Sequence, residues 1–149
     1  MNQELTKRQR FVLAALAVQS GTALAPVQVQ KLFFLFDENI ANKIGGKQFD
    51  FEPYDYGPFD KDVYAEFGAL NAMGLARVLE NVDSPAKRLY LLTSEGQAAG
   101  EEALTNYDEG TREYMGEVSS WVSRLSFGEL VGAVYKSYPE MRVNSVFVG

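Results

Sequence analysis

The sequence predicts a mostly α-helical domain of the α+β class, with a small two-stranded β-hairpin and additional helices at its C-terminal end. Apolar residues recur at spacings of three and four over several segments, which is the pattern of amphipathic helices. Two short β-prone runs, 74–80 and 87–92, flank a turn-rich stretch at 81–86, and this arrangement is typical of a hairpin. A chain of 149 residues has the length of one domain, and we expect a single domain over 1–149.

Two helices are predicted in the N-terminal third. The first covers about 5–19, and after a short connector at 22–25 the second begins at Pro26, a residue suited to the first turn of a helix. Gly45 ends the second helix, which is apolar over more than one face and is therefore expected to be central. Lys31 lies inside its apolar run, so its stem either only covers apolar surface or places the ammonium for a specific role.

A corner rich in aromatic residues follows the second helix. In the run Phe51-Glu52-Pro53-Tyr54-Asp55-Tyr56-Gly57-Pro58-Phe59, Pro58 has a fixed φ and Gly57 reaches φ values closed to other residues. We expect a strand-like segment to stop here and a helix to run from Phe59 to Met73. Aromatic rings with hydroxyl tips beside a rigid turn suit either a packed anchor or a partner-binding surface.

The segment after the hairpin reads as helices. Thr93 or Ser94 is placed to cap the first of them, and a last helix from Phe127 to Tyr138 follows a Ser126 N-cap, with Pro139 as its stop. These C-terminal helices either close the core or form the surface of a homodimer.

Composition narrows the range of functions. The chain has no cysteine and no histidine, so it lacks thiolate nucleophiles, disulfides and the commonest general base and transition-metal ligand. We therefore expect a non-enzymatic protein without a cofactor, although a metal site made of carboxylates alone stays open. Neither a signal peptide nor a membrane span is recognisable, and we expect a cytoplasmic protein.

One resemblance concerns the scaffold. A helix that ends at Gly74-Leu75, a hairpin that includes Tyr90, and a return to helix at Leu92-Thr93-Ser94-Glu95-Gly96 resemble the winged-helix family over about 5–99, with 100–149 as a helical extension. The resemblance implies a recognition-position helix before the hairpin and a wing made by the hairpin. A winged-helix DNA-binding regulator is thus the alternative function. Its candidate contacts are Lys7, Arg8, Arg10, Lys61, Arg77, Lys87 and Arg88.

The charge of the chain disfavours that alternative. The formal net charge is −6, which repels phosphate backbones unless the fold gathers a basic face. The helix in the recognition position carries Asp60, Asp62 and Glu66 against Lys61, whereas helices that read bases usually bring Arg, Lys, Asn or Gln to the groove.

A second resemblance concerns function. The runs Val29-Gln30-Lys31-Leu32-Phe33-Phe34-Leu35-Phe36 and Phe51 to Phe59, followed by a helix with Val63-Tyr64, resemble the Panacea (SocA-like) antitoxin domain and a group of YwgA-like bacterial proteins. The tail 134–140 with Asn144-Ser145 is similar to the end of the YwgA-like proteins. The resemblance implies a helical domain that binds other proteins, often in toxin neutralisation or phage-related contexts, and implies no catalysis.

The preferred interpretation is therefore a protein-interaction module whose partner is another protein, with a nucleic acid as the disfavoured alternative. The predicted partner-binding residues surround the aromatic corner. They are Lys31, Tyr54, Tyr56, Gly57, Pro58, Phe59 and Tyr64.

Overall fold

A computed structural model describes residues 4–81, 83–84 and 87–148, and it confirms the mostly α-helical (α+β) class. The elements in chain order are α1 (Lys7–Ala17), β1 (Ala23–Leu24), α2 (Pro26–Ile44), β2 (Glu52–Tyr54), β3 (Gly57–Phe59), α3 (Lys61–Ala72), β4 (Ala76–Leu79), β5 (Leu89–Leu92), α4 (Ser94–Leu104), α5 (Glu109–Arg124), α6 (Phe127–Ser137) and a 3-10 turn (Pro139–Arg142).

The predicted hairpin is present. Strands β4 and β5 pair antiparallel, with Ala76 opposite Leu92 and Leu79 opposite Leu89. Within the predicted turn at 81–86, Val82, Pro85 and Ala86 lie outside the described residues.

A third strand joins this sheet, and the prediction of a simple connector at 22–25 is wrong. Strand β1 pairs antiparallel with β5, placing Ala23 opposite Leu91 and Leu24 opposite Tyr90, so the strand order is β1-β5-β4. Two residues are too few to show the alternation by which a strand is recognised, and the partner strand lies far along the chain.

The aromatic corner also differs from its prediction. Gly57, Pro58 and Phe59 form strand β3, which pairs with β2 in a second small hairpin. Helix α3 begins at Lys61 instead of Phe59, because Asp60 is its N-cap and its carboxylate accepts a hydrogen bond of 2.8 Å from the Asp62 amide.

Other helix ends follow the predicted chemistry. Pro26 occupies the first turn of α2, and Gly45 ends that helix in the left-handed region with φ 89°. The Thr93 hydroxyl accepts a 3.0 Å hydrogen bond from the Gly96 amide at the start of α4. Ser126 and Glu129 form a capping box at α6. Helix α6 ends before Pro139, and Pro139 begins the 3-10 turn.

Helix α2 lies at the centre of one hydrophobic core. Phe33 is fully buried and packs edge-to-face with Phe11 of α1 and Phe67 of α3, at ring-centroid distances of 5.5 and 6.3 Å. The same core cluster includes Met115 of α5 and Leu130 of α6. The C-terminal helices therefore complete the core that residues 5–99 begin.

Helices α1 and α4 approach so closely that Gly100 of α4 has no room for a side chain. A Cβ at position 100 would lie 2.5 Å from both the Ala17 Cβ and the Leu13 carbonyl oxygen. The exposed Gly68 of α3, by contrast, has no atom within 4 Å of its own Cβ position.

We expect Gly100→Ala to lower the free energy of unfolding by about 1–3 kcal/mol, because the added methyl forces the two helices apart. The matched change Gly68→Ala is expected to raise it by about 0.5–1 kcal/mol through the better helix propensity of alanine. Urea unfolding of both variants measures the difference. Equal effects at the two positions would contradict the close α1–α4 contact.

Candidate functional site

The β2–β3 hairpin is held to α2 by the side chains of two consecutive residues. The Gln30 amide makes both hydrogen bonds to the Asp60 backbone, accepting from its N–H at 2.9 Å and donating to its carbonyl at 3.0 Å. The Lys31 ammonium donates to the Pro58 carbonyl at 3.3 Å. The junction between the hairpin and α3 is thereby fixed to α2, whose apolar residues belong to the hydrophobic core.

The C-terminal segment holds the outer side of the same hairpin. The Asn144 amide donates to the Pro53 carbonyl at 3.1 Å, and the Val146 N–H donates to the Asp55 carbonyl at 2.9 Å. The hairpin is thus tied down by elements that lie far before and far after it in the chain.

Gly57 is required at the hairpin's closest approach to the core. Its φ is 101°, a value that strongly favours glycine, and it is buried. A Cβ at this position would lie 3.2 Å from the Tyr135 ring and 3.6 Å from the Lys31 Nζ atom. Gly57 therefore leaves a space that Lys31 and Tyr135 both border.

Lys31 is a buried cation without an acidic partner in the described part of the chain. Its residue exposure is 3%, and none of the ion pairs found within 4.0 Å includes it. Burial lowers the pKa of Lys31 from its ordinary 10.5 to about 7, because the charged form loses its hydration. Of its three donors, one has the Pro58 carbonyl as its partner.

A cavity of about 240 Å³ opens from Lys31 toward solvent, between the hairpin, α2, α3 and the start of α6. Six of the seven predicted partner-binding residues line it, and the seventh, Pro58, is buried and supplies the carbonyl that binds Lys31. The lining residues are Pro26, Val27, Gln30, Lys31, Tyr54, Asp55, Tyr56, Gly57, Phe59, Tyr64 and Phe127.

Aromatic rings make the inner wall of this cavity. Tyr54 stacks on Phe59 at 5.1 Å, and Phe59 meets Tyr64 edge-to-face at 5.7 Å. Tyr64 in turn stacks on the buried Tyr90 at 5.6 Å, which connects the wall to the core. Burial raises the pKa of Tyr64 to about 12, so its hydroxyl stays protonated at neutral pH.

The rim is aromatic and exposed. Tyr54, Tyr56 and Phe127 have exposed fractions of 55%, 44% and 43%. Tyr56 and Phe127 contact each other edge-to-face at 5.0 Å across the join between the hairpin and α6. Large rings that stand partly in solvent around a concave site are the residue types that dominate binding energy at protein interfaces.

Two residues of this region were not predicted as site residues. Phe127 is predicted only as the start of a helix. Its spacing from Leu130, Val131 and Val134 is that of one apolar stripe, which gives no sign of an exposed ring, yet the structure leaves it 43% exposed. Tyr135 was missed as well. Its hydroxyl is buried and has no hydrogen-bond partner in the described chain, which no local pattern reveals.

The residues predicted for DNA binding do not all remain available to phosphate. Arg8 pairs with Glu66 and Asp62 and also lies over the Phe49 ring at 4.8 Å. Arg88 pairs with Glu80 at 2.9 Å. The other five take part in none of the ion pairs of the described chain: Lys7, Arg10, Lys61, Arg77 and Lys87.

No family model matches this chain, and no curated protein matches it. The resemblance to Panacea domains and YwgA-like proteins therefore stays a prediction from the quoted motifs.

Within residues 4–81, 83–84 and 87–148, no group of three or more acidic side chains is placed to bind a metal ion. None of the described helices combines the length and the apolar character needed to cross a bilayer.

We expect Lys31 to make stability depend on pH. Between pH 7 and 10.5 the unfolded chain holds a proton on this lysine that the folded chain has lost, so stability rises with pH through this range. Below pH 7 both states are protonated and the full penalty of burying the charge is present. From pH 7 to 9, the gain is about 2 kcal/mol.

The measurement is urea unfolding at pH 6, 7, 8 and 9 for the wild type and for Lys31→Met, whose unbranched side chain is one atom shorter and carries no charge. The free energy of unfolding of the wild type is expected to rise relative to that of Lys31→Met as the pH increases from 7 to 9. Parallel pH profiles would contradict a lysine with a lowered pKa.

Proposed function

We propose that this chain is a non-enzymatic protein-interaction module and that the aromatic cavity between the β2–β3 hairpin and α2 is its binding site. The observation that carries the proposal is the set of exposed rings, Tyr54, Tyr56 and Phe127, around a concave site whose walls are fixed by the core. Pre-formed sites of this kind bind without a large ordering cost.

The scaffold supports a binding role. The order α1, β1, α2, α3, β4 and β5, with β1 and β4 on either side of β5, fits a winged-helix-like arrangement. The hairpin β2–β3 interrupts this order between α2 and α3, and it carries the rim residues Tyr54 and Tyr56. The added element and the proposed binding surface thus coincide.

The composition also supports binding over catalysis. Without histidine and cysteine, the ionisable groups that line the cavity are Lys31, Asp55 and tyrosines. Asp55 is exposed on the turn and Lys31 is buried, and they form no ion pair. The resemblance to Panacea domains adds an antitoxin-like or phage-defence role, in which the partner would be a toxin or a regulatory protein.

The proposal is tested by retention of a partner from host lysate on the purified protein at moderate salt. The variant is Tyr56→Ala with Phe127→Ala, which removes two rim rings. The matched control is Trp121→Ala, because Trp121 has an exposed fraction of 36% but lies in a separate depression with Leu35 and Tyr114.

We expect the wild type and Trp121→Ala to retain one stoichiometric protein, and calorimetry to give at least about 30-fold weaker binding of that protein to the double variant. Circular dichroism checks that both variants fold. If the wild type and the double variant instead retain nuclease-sensitive DNA equally, the result would support the winged-helix regulator. A protein retained equally by all three forms would reject this surface as the site.

A further inference from the structure

We propose that the cavity receives an acidic side chain, Asp or Glu, of the partner protein, and that its carboxylate pairs with Lys31. This inference rests on the proposed function and specifies the chemistry that the site recognises. It is carried by the position of a buried, unpaired cation at the inner end of an aromatic cavity.

The ammonium group of Lys31 has hydrogen-bonding capacity that the described chain leaves unsatisfied. Lys31 has three donors, and the described chain offers one acceptor, the Pro58 carbonyl. Buried charges are normally paired, since an unpaired one keeps its full cost of desolvation. A carboxylate with two oxygens is the group that best satisfies the two remaining donors.

The volume of the cavity also favours a single inserted side chain. The cavity holds about 240 Å³, which is less than the 300–1,000 Å³ typical of pockets for whole small-molecule ligands. It is therefore better matched to one inserted side chain than to a cofactor. A side chain brought by a partner also accounts for the exposed rings of Tyr54, Tyr56 and Phe127, which apolar residues next to the inserted acid would cover.

The surroundings of Lys31 are mostly aromatic and polar. Tyr54 and Tyr56 of the hairpin and Tyr64 of α3 line the cavity. Gln30 on α2 is neutral. On the side of α6, the Tyr135 ring lies beside Gly57, with the Arg142 guanidinium 5.7 Å from the ring centre.

Asp55 is the one carboxylate among the residues that line the cavity. It is exposed on the hairpin turn, so it repels an incoming acid weakly and from the rim. Once the aromatic rim excludes water, the pair between Lys31 and the inserted carboxylate is stronger than an ion pair in solvent. Binding also raises the pKa of Lys31 back from about 7, so the complex takes up protons.

A displayed library of random peptides tests the inference without knowledge of the natural partner. Peptides are selected on the wild type and counter-selected on Lys31→Met. The best peptide is then synthesised with its acid and with the matching amide, Glu→Gln or Asp→Asn. This exchange alters the ligand alone, so it remains decisive if a protein variant folds poorly.

We expect an acid beside apolar residues in the selected peptides, and at least tenfold weaker binding of the amide form, as measured by calorimetry. Lys31→Met should bind both forms alike. Asp55→Asn should strengthen binding of the acid form about two- to fivefold and leave the amide form unchanged. Above pH 7, affinity for the acid form should fall, and proton uptake should be about half a proton at pH 7 and rise toward one at pH 8.

Two results separate this inference from the proposed function. Peptides that lose affinity with Tyr56→Ala and Phe127→Ala, but bind equally as acid and amide, would overturn the pairing with Lys31 and leave the interaction module standing. A selection that recovers no binder, or only binders whose affinity is unchanged by the loss of both rings, would overturn the pairing with Lys31 and the proposed function together.

Discussion

The structure depends on hydrogen bonds that the polar side chains of α2 make to the backbone around the β2–β3 hairpin. Within residues 48–60 the strand pairing is confined to β2 and β3, and buried backbone groups outside that pairing need other partners. Asp37 accepts from the Gln48 and Phe49 amides, both at 2.9 Å, Gln30 binds both backbone groups of Asp60, and Lys31 binds the Pro58 carbonyl. All three side chains are buried, at 2–3% exposure. One helix thus provides apolar contacts and also positions the hairpin that borders the cavity.

The three buried polar residues of α2 differ in the free-energy cost of their burial. Gln30 is neutral and uses both ends of its amide. Burial raises the pKa of Asp37, but two amide hydrogen bonds oppose the shift. Lys31 makes one hydrogen bond, and nothing in the described chain offsets the burial of its charge. A neutral donor would satisfy the Pro58 carbonyl without the free-energy cost of burying a charge. A lysine at this position is therefore consistent with a ligand that pairs with its ammonium group.

The distribution of charge agrees with a protein partner more than with a nucleic acid. Arg8 and Arg88, two of the cations predicted for DNA binding, are paired with Glu66, Asp62 and Glu80. Helix α3, which precedes the β4–β5 hairpin, is acidic at its start, with Asp60 as its N-cap and Asp62 in its first turn. The aromatic cavity on the other hand combines exposed rings with a buried cation, and both features favour insertion of an apolar and acidic segment.

The sequence by itself determined the helical class, the β4–β5 hairpin, the place of Pro26 in the first turn of α2, and the helix caps at Thr93 and Ser126, because these rest on local periodicity and backbone chemistry. The tertiary structure alone decided the rest. Strand β1 exists through its pairing with β5, Gly57, Pro58 and Phe59 form a strand by pairing with β2, and Phe127 reached the cavity through the packing of α6. Whether Lys31 only covers apolar surface or carries an unpaired charge depends equally on residues far apart in the chain, and such long-range contacts leave no periodic trace in the sequence.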